Sequence, residues 1–428
     1  MVARTGSSRG LRVVGLGVVR PNESSDPLVA LRTGHDAVWL RDSVSDATAV
    51  APLITPAEVA AAASRMSQFV PLLARLFPVH GWDGCIRSAL LDGPPGSGWL
   101  VKGDHDLPVT GSIKARGGIH ALLHVIEQIA LQDDLPLDLL TEQAGRAILS
   151  RHTVVVASTG NLGYSIGCFA RAFGLGAEIH MSAEATPWKK DRLRAIGARV
   201  VEHVCDYSET LDRARAAATR ARAWLVDDER SRDLLTGYAV AADELANQLA
   251  ERRIVVDDRH PLIAYLPCGV GGAPGGITHG LKRRFGRDVV TVFVEPLASP
   301  CMLVALASGR GSAASVYDYG CDNVTIADGL AVPRASKLVL DAVGDAIDAV
   351  VAVPDTAMIE WVGNAWRSAK LRLEPSAAAA FAAFAPLRNA IVQKPAWPTL
   401  DDATHLFWAT GGSQLPDEEF SAILERGQ

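Results

Sequence analysis

A chain of 428 residues, 48% hydrophobic and 21% charged, with a formal net charge of −6, has an ordinary globular balance and enough length for two cores. It lacks the basic stripe of a nucleic-acid binder and any block of like charge, and its N-terminal apolar run "VVGLGVV" (13–19) is too short to span a bilayer and has no small-residue cleavage pattern. Six cysteines without a C-x-x-C pair fit a reduced chain, so a soluble cytoplasmic protein is expected, with neither nucleic acid nor membrane as partner.

Residues 1–100 read as loop apart from one helix, "PAEVAAAASRMSQFVPLLARLFP" (56–78), with its proline in the first turn. "DGPPGSG" (92–98) is a turn cluster. From residue 100 on, helical patterns alternate with short β-branched apolar runs. The helix "ARGGIHALLHVIEQIALQ" precedes the strand "TVVVAS" (153–158) and the helix "NLGYSIGCFARAFG". Then come "AEIHMS" (strand), "TPWKKDRLRAIG" (helix), "RVVEHV" (strand), "SETLDRARAAATRAR" (helix) and "AWLVDD" (strand). A helix over 234–253, the strand "LIAYLPC", a helix from 275 and the strand "VVTVFVEP" follow. The four strands between 153 and 228 can form one small sheet. Those from 262 onward, with "DAVVAVP" and "THLFWATGG", can form a second. The expected fold is α/β: two open, mostly parallel twisted sheets with helices on both faces and a cleft between them. A ligand in such a fold sits beyond the carboxyl ends of the strands.

Three strand ends carry unusual residues. "CGVGGAPGG" (268–276) has five glycines in nine residues, more than a tight turn needs. Glycine lets backbone N–H groups approach an anion, and the helix start adds a favourable dipole, so a phosphate is the natural guest. No lysine follows a glycine and no G-x-G-x-x-G occurs, so Walker and dinucleotide readings lose their support. "STGNLG" (158–163) opens a helix with hydroxyls that suit a carboxylate or an ordinary N-cap. "WATGGS" (408–413) places Thr410 at the cleft. Against these stands Lys114 in "LPVTGSIKARGG" (107–118), one of eight lysines beside thirty-four arginines. An amine can lose its proton and form a Schiff base; a guanidinium cannot. The alternative is a snorkelling surface lysine. Arg116, two residues on, opens the next helix and is expected to pair within the domain.

Other motifs are weaker. "GYSIG" (163–167) matches the hydrolase G-x-S-x-G, but Ser165 falls inside a helix rather than at a strand-to-helix elbow. A serine hydrolase is therefore a remote alternative. "HALLH" (120–124) puts two histidines one helical turn apart with no third ligand, and "HVCD" (203–206) is too thin for a metal site.

Taken together, "TGSIKARGG", "STGNLG", "CGVGGAPGG" and "ATGG" resemble the fold-type II pyridoxal-phosphate enzymes, the tryptophan synthase β-like fold. "SRMSQFVPLLARLFP", "SAEATPWKK", "EPLASPCML", "DGLAVPRAS" and "LEPSAAAAF" extend the resemblance over nearly the whole chain, toward the bacterial D-serine dehydratases. That resemblance implies a large domain of 1–105 and 232–428 and a small one of 106–231 carrying Lys114. It implies pyridoxal 5'-phosphate on Lys114, its phenolic oxygen at Asn161, its phosphate at Gly269, Gly271, Gly272 and Ala273, and its ring nitrogen at Thr410. Ala273 stands where the family usually has glycine, which is tolerable at negative φ. Ser158, Thr159 and Gly160 would hold the substrate carboxylate, with Thr159 in the catalytic set. Asp227 would face the substrate hydroxyl or be an ordinary strand-end acid. A monovalent cation such as potassium is implied near the phosphate loop, with Glu295 as ligand. The implied reaction is α,β-elimination of D-serine to pyruvate and ammonia by a monomer. L-serine, L-threonine and threo-3-hydroxy-amino-acid dehydratases use the same loops, and nothing in the residues reads the substrate's hand.

Overall fold

The computed structural model describes residues 26–78, 81–158, 160–205, 207–392 and 394–427. The early run 13–19 lies outside them. Among the described residues eleven strands are formed: β1 (Ala37–Leu40), β2 (Leu90–Asp92), β3 (Leu100–Lys102), β4 (Thr153–Ala157), β5 (Gly176–Ser182), β6 (Arg199–His203), β7 (Ala223–Val226), β8 (Leu262–Pro267), β9 (Val289–Pro296), β10 (Ala349–Val353) and β11 (Thr404–Trp408). They make a seven-stranded sheet in the order β1-β10-β9-β8-β11-β3-β2 and a four-stranded sheet in the order β6-β5-β4-β7. The small sheet is parallel throughout, and the large one is parallel except at its edges, β1 and β2.

Burial explains the continuous apolar strands. Every residue of β8, β9 and β10 is buried. Along β8, Leu262, Ala264 and Leu266 face one core, while Ile263 and Tyr265 face the other, under the helix Pro375–Ala382. Both faces are thus covered, each buried Val, Leu or Ile contributing about 1.5–3 kcal/mol.

The structure corrects the reading in three places. The first hundred residues supply β1, β2 and the first residue of β3 to the large sheet, strands too short to show a period. The helix expected over 234–253 is two, Arg232–Ala239 and Ala241–Glu251, and the Thr236 hydroxyl donates back to the Asp233 carbonyl at 3.2 Å, a bond that bends helices. The helix expected from 275 begins at Gly272, because Pro274 in a first turn forfeits no hydrogen bond. Among the described residues, no helix is long and apolar enough to cross a membrane.

Candidate active site

The carboxyl ends of β4, β7, β8 and β11 open on one cleft between the sheets, lined by Lys114, Asn161, Asp228, Thr410 and the Gly269–Pro274 loop. Lys114 is the first residue of the helix Lys114–Gln132. The turn before it is pinned to the end of β11: the Ile113 N–H donates to the Thr410 carbonyl at 2.7 Å, and Ser112 bridges to Gly411. Gly111, at φ +59°, passes so close that a Cβ there would stand 2.4 Å from Ser413 Oγ. The half-buried Lys114 amine lies 5.9 Å from the centre of the Tyr238 ring and has no hydrogen-bond or ion-pair partner among the described residues. Burial holds its pKa below the usual lysine range, against the pull of Asp228 and Glu374.

Opposite stands the glycine loop after β8. Gly271 adopts φ +107°, and a Cβ there would stand 2.8 Å from Met302 Cε. The helix Gly272–Phe285 has no side-chain cap, and the N–H groups of Gly269 to Ala273 find no acceptor among the described residues. Five N–H groups left over at a positive helix end fit a phosphate. Ala273 is helical, with negative φ, so its methyl does not obstruct the loop.

The remaining expected residues divide. The Asn161 amide donates to Glu374 at 2.9 and 3.2 Å, and burial raises the Glu374 carboxyl. Thr410 lines the cleft, and its hydroxyl has no partner among the described residues. The Ser158 hydroxyl accepts from the N–H groups of Gly160 and Gly163 at 3.0 and 2.9 Å, so it caps the helix Asn161–Phe173. Gly160 leaves room for Lys189, whose Cδ would stand 3.0 Å from a Cβ there. Thr159 lies outside the described residues.

Asp227 is not at the cleft. Its carboxylate is taken by Arg215 Nε at 2.8 Å and the Glu229 N–H at 3.0 Å. The next residue, Asp228, lines the cleft instead, from the turn that follows β7. Asp228 accepts a hydrogen bond from Tyr207, on the helix Tyr207–Ala217. Burial pushes its carboxyl up to about 6, with the Tyr207 bond and the Lys114 charge acting against it. Tyr207 and Glu374 were missed. The signal for Glu374 was "LEPSAAAAF"; Tyr207, amid the polar pattern of its helix, had none.

Glu295 is wholly buried, and its oxygens accept from the N–H groups of Met302 and Leu303 at 2.7 and 2.9 Å. Burial pushes its carboxyl up to about 8. No Lys, Arg or His pairs with it among the described residues, and none of them form a cluster of three or more metal-ligating side chains. The decoys resolve structurally. Ser165 is buried inside its helix and donates to Thr110 at 3.1 Å, and no strand-to-helix elbow presents it. His120 contacts Arg65 and the Asp233 carbonyl, and His124 pairs with the Asp233 carboxylate at 2.8 Å. "HVCD" ends on Asp206, outside the described residues.

Residues 78–396 match the family described as "Pyridoxal-phosphate dependent enzyme". A protein from Pseudomonas putida named "Probable D-serine dehydratase" is 44% identical over 400 residues, covering 88% of this chain and 89% of that protein. One of the same name from Cupriavidus pinatubonensis is 46% identical over 383 residues, covering 84% and 86%. The solved structure of diaminopropionate ammonia lyase from Escherichia coli in complex with D-serine has a TM-score of 0.68, covering 92% of this chain and 97% of that one. At 18% identity that likeness is one of fold.

Proposed function

The chain belongs to the pyridoxal-phosphate-dependent enzymes, and from that premise we propose that it is a D-serine ammonia-lyase. D-serine loses water across Cα and Cβ, and hydrolysis of the resulting enamine gives pyruvate and ammonia. The observation that carries the reading is the half-buried Lys114 amine, without a partner among the described residues, in one cleft with a glycine loop whose five N–H groups find no acceptor among them.

When bound, the cofactor supplies an electron-withdrawing ring that stabilises negative charge at the substrate Cα. Gly269, Gly271, Gly272 and Ala273 would hold its phosphate, Asn161 its phenolic oxygen and Thr410 its ring nitrogen. A hydroxyl at that nitrogen does not force its protonation, which suits elimination over long-lived carbanion chemistry. Lys114, its pKa lowered by burial, takes the Cα proton. Ser158, Thr159 and Gly160 would lie against the substrate carboxylate, although the Ser158 hydroxyl is already engaged by the Gly160 and Gly163 N–H groups. Asp228, its carboxyl raised to about 6, takes the role expected of Asp227 and donates to the departing hydroxyl from its protonated form. All these residues belong to one chain, so a monomer suffices, and the six free thiols suit a cytoplasmic setting.

The monovalent-cation reading is kept for Glu295, a buried carboxyl with no Lys, Arg or His partner among the described residues. Replacing potassium by a bulky organic cation should lower turnover severalfold in the wild type and change little in Glu295→Gln; equal loss in both refutes the assignment.

The test of the function is pyruvate formation from D-serine, L-serine, D-threonine and L-threonine, side by side. D-serine should be the preferred substrate, and Lys114→Ala should lose both turnover and the cofactor's visible absorbance. Rapid turnover of L-serine with none of D-serine would overturn the substrate, and full activity in Lys114→Ala would overturn the mechanism.

A further inference from the structure

The small sheet has a second opening at the end away from the catalytic cleft. It lies where β4, β5, β6 and β7 begin, and it is lined by Arg151, Arg171, Arg199, Arg220 and Arg222 around a single acid, Glu178. Strand β4 runs from this rim to Ser158, so the two sites lie roughly 15 Å apart.

The cations there are not balanced by the protein. Glu178 is buried and fully engaged: Oε1 accepts from Arg220 at 3.0 Å and from His180 at 3.0 Å, and Oε2 accepts from Arg199 at 3.1 Å. Arg171 donates one nitrogen to the Leu175 carbonyl at 2.9 Å. The guanidinium groups of Arg151 and Arg222 have no hydrogen-bond or ion-pair partner among the described residues. Glycine at 197 lets the Arg171 side chain lie against the rim, since a Cβ there would stand 3.3 Å from its Nε. Five guanidinium groups against one carboxylate repel one another, in a chain whose net charge is −6. An anion relieves that repulsion, and the planar guanidinium fork matches phosphate oxygens two at a time.

We propose that this rim is a binding site for a compact polyphosphate, a small molecule carrying at least two linked phosphate groups. A single phosphate dianion leaves half of the excess charge unmatched, whereas a diphosphate neutralises most of it. The site does not depend on the reaction assigned to the cleft.

The experiment titrates pyrophosphate into the holoenzyme by calorimetry, against sodium chloride at matched ionic strength. The holoenzyme is used because its phosphate loop is already filled. Saturable binding of one pyrophosphate per chain is expected, at least about tenfold weaker in Arg151→Gln/Arg222→Gln. Those two arginines carry none of the Glu178 network, so the double variant should keep its circular dichroism and its D-serine turnover. If that variant loses its fold, Arg151→Gln alone should still weaken binding. Non-saturable binding, binding unchanged in the variants, or equally tight binding of citrate would each overturn the proposal.

Discussion

Asp228 sits between a phenol and an amine, and its environment sets a pH dependence. Burial raises its carboxyl to about 6, and the dianionic phosphate of a bound cofactor raises it further, because a like charge disfavours ionisation. As the acid for the departing hydroxyl, Asp228 must be protonated. The profile of kcat/KM for D-serine should therefore fall with rising pH, with an apparent pKa of about 6 or above. The Tyr207 hydrogen bond favours the charged carboxylate, so Tyr207→Phe should move that limb to higher pH. Asp228→Asn should abolish the limb and lower kcat about 10²–10⁴-fold. A limb that stays in place in both variants would remove Asp228 from the reaction. Lys114 and the glycine loop were legible in the sequence because imine chemistry needs an amine and a phosphate cradle needs bare backbone. Asp228 was not, because which of two adjacent acids at a strand end faces the cleft depends on where the strand stops. That stop is at Val226, two residues before the acid that matters.

The Lys114 helix is held at its first turn by a buried charge network. Arg116 makes a bidentate pair with Asp104 at 2.7 and 2.8 Å and reaches Glu244 at 2.7 Å. Lys102 Nζ closes the set on Glu244 at 2.5 Å, and Trp408 Nε1 donates to Asp104 at 2.8 Å. The network ties β3, β11 and the helix Ala241–Glu251 to the segment that carries the amine. Arg116→Ala leaves two acids in the interior without their partner, so it should cost about 3–5 kcal/mol in denaturant unfolding. Arg116→Lys should recover part of the stability but not the bidentate geometry. Loss of less than 1 kcal/mol in Arg116→Ala would show that water reaches the site. The glycines after Arg116 have a separate cause, invisible in one sequence. The helix Arg232–Ala239 crosses so closely that a Cβ on Gly117 would stand 2.5 Å from Tyr238, and one on Gly237 would stand 2.6 Å from His120. Alternation of strands and helices could be read from periodicity, but these crossings are tertiary, and nothing local announces them.

At the scale of the molecule, two of the polar contacts that cross the cleft involve charged side chains. Lys189 Nζ meets Asp328 at 2.5 Å, and the Asn161 amide meets Glu374 at 2.9 Å. The Lys189–Asp328 pair is partly exposed, the Asp328 side chain at 42%, and such pairs contribute about 1 kcal/mol or less. A cofactor that engages the loop after β8 together with Lys114 and Asn161 joins the two sides more strongly. Binding to the folded chain alone stabilises it by about 2.7 kcal/mol at a hundredfold excess over Kd. The melting temperature should therefore climb as pyridoxal phosphate is added to cofactor-free protein. Two variants separate the contributions of amine and loop. In Lys114→Ala the loop is intact, so part of the climb should remain although turnover is gone. In Gly271→Ala the added methyl must adopt φ +107° and press on Met302, so the climb should shrink while Lys114 is untouched. If Lys114→Ala shows no climb and Gly271→Ala a full one, the phosphate is held elsewhere and the loop is only a turn. If both variants keep half, the cofactor is clamped from both sheets, and the cleft acquires its working stability only when it is filled.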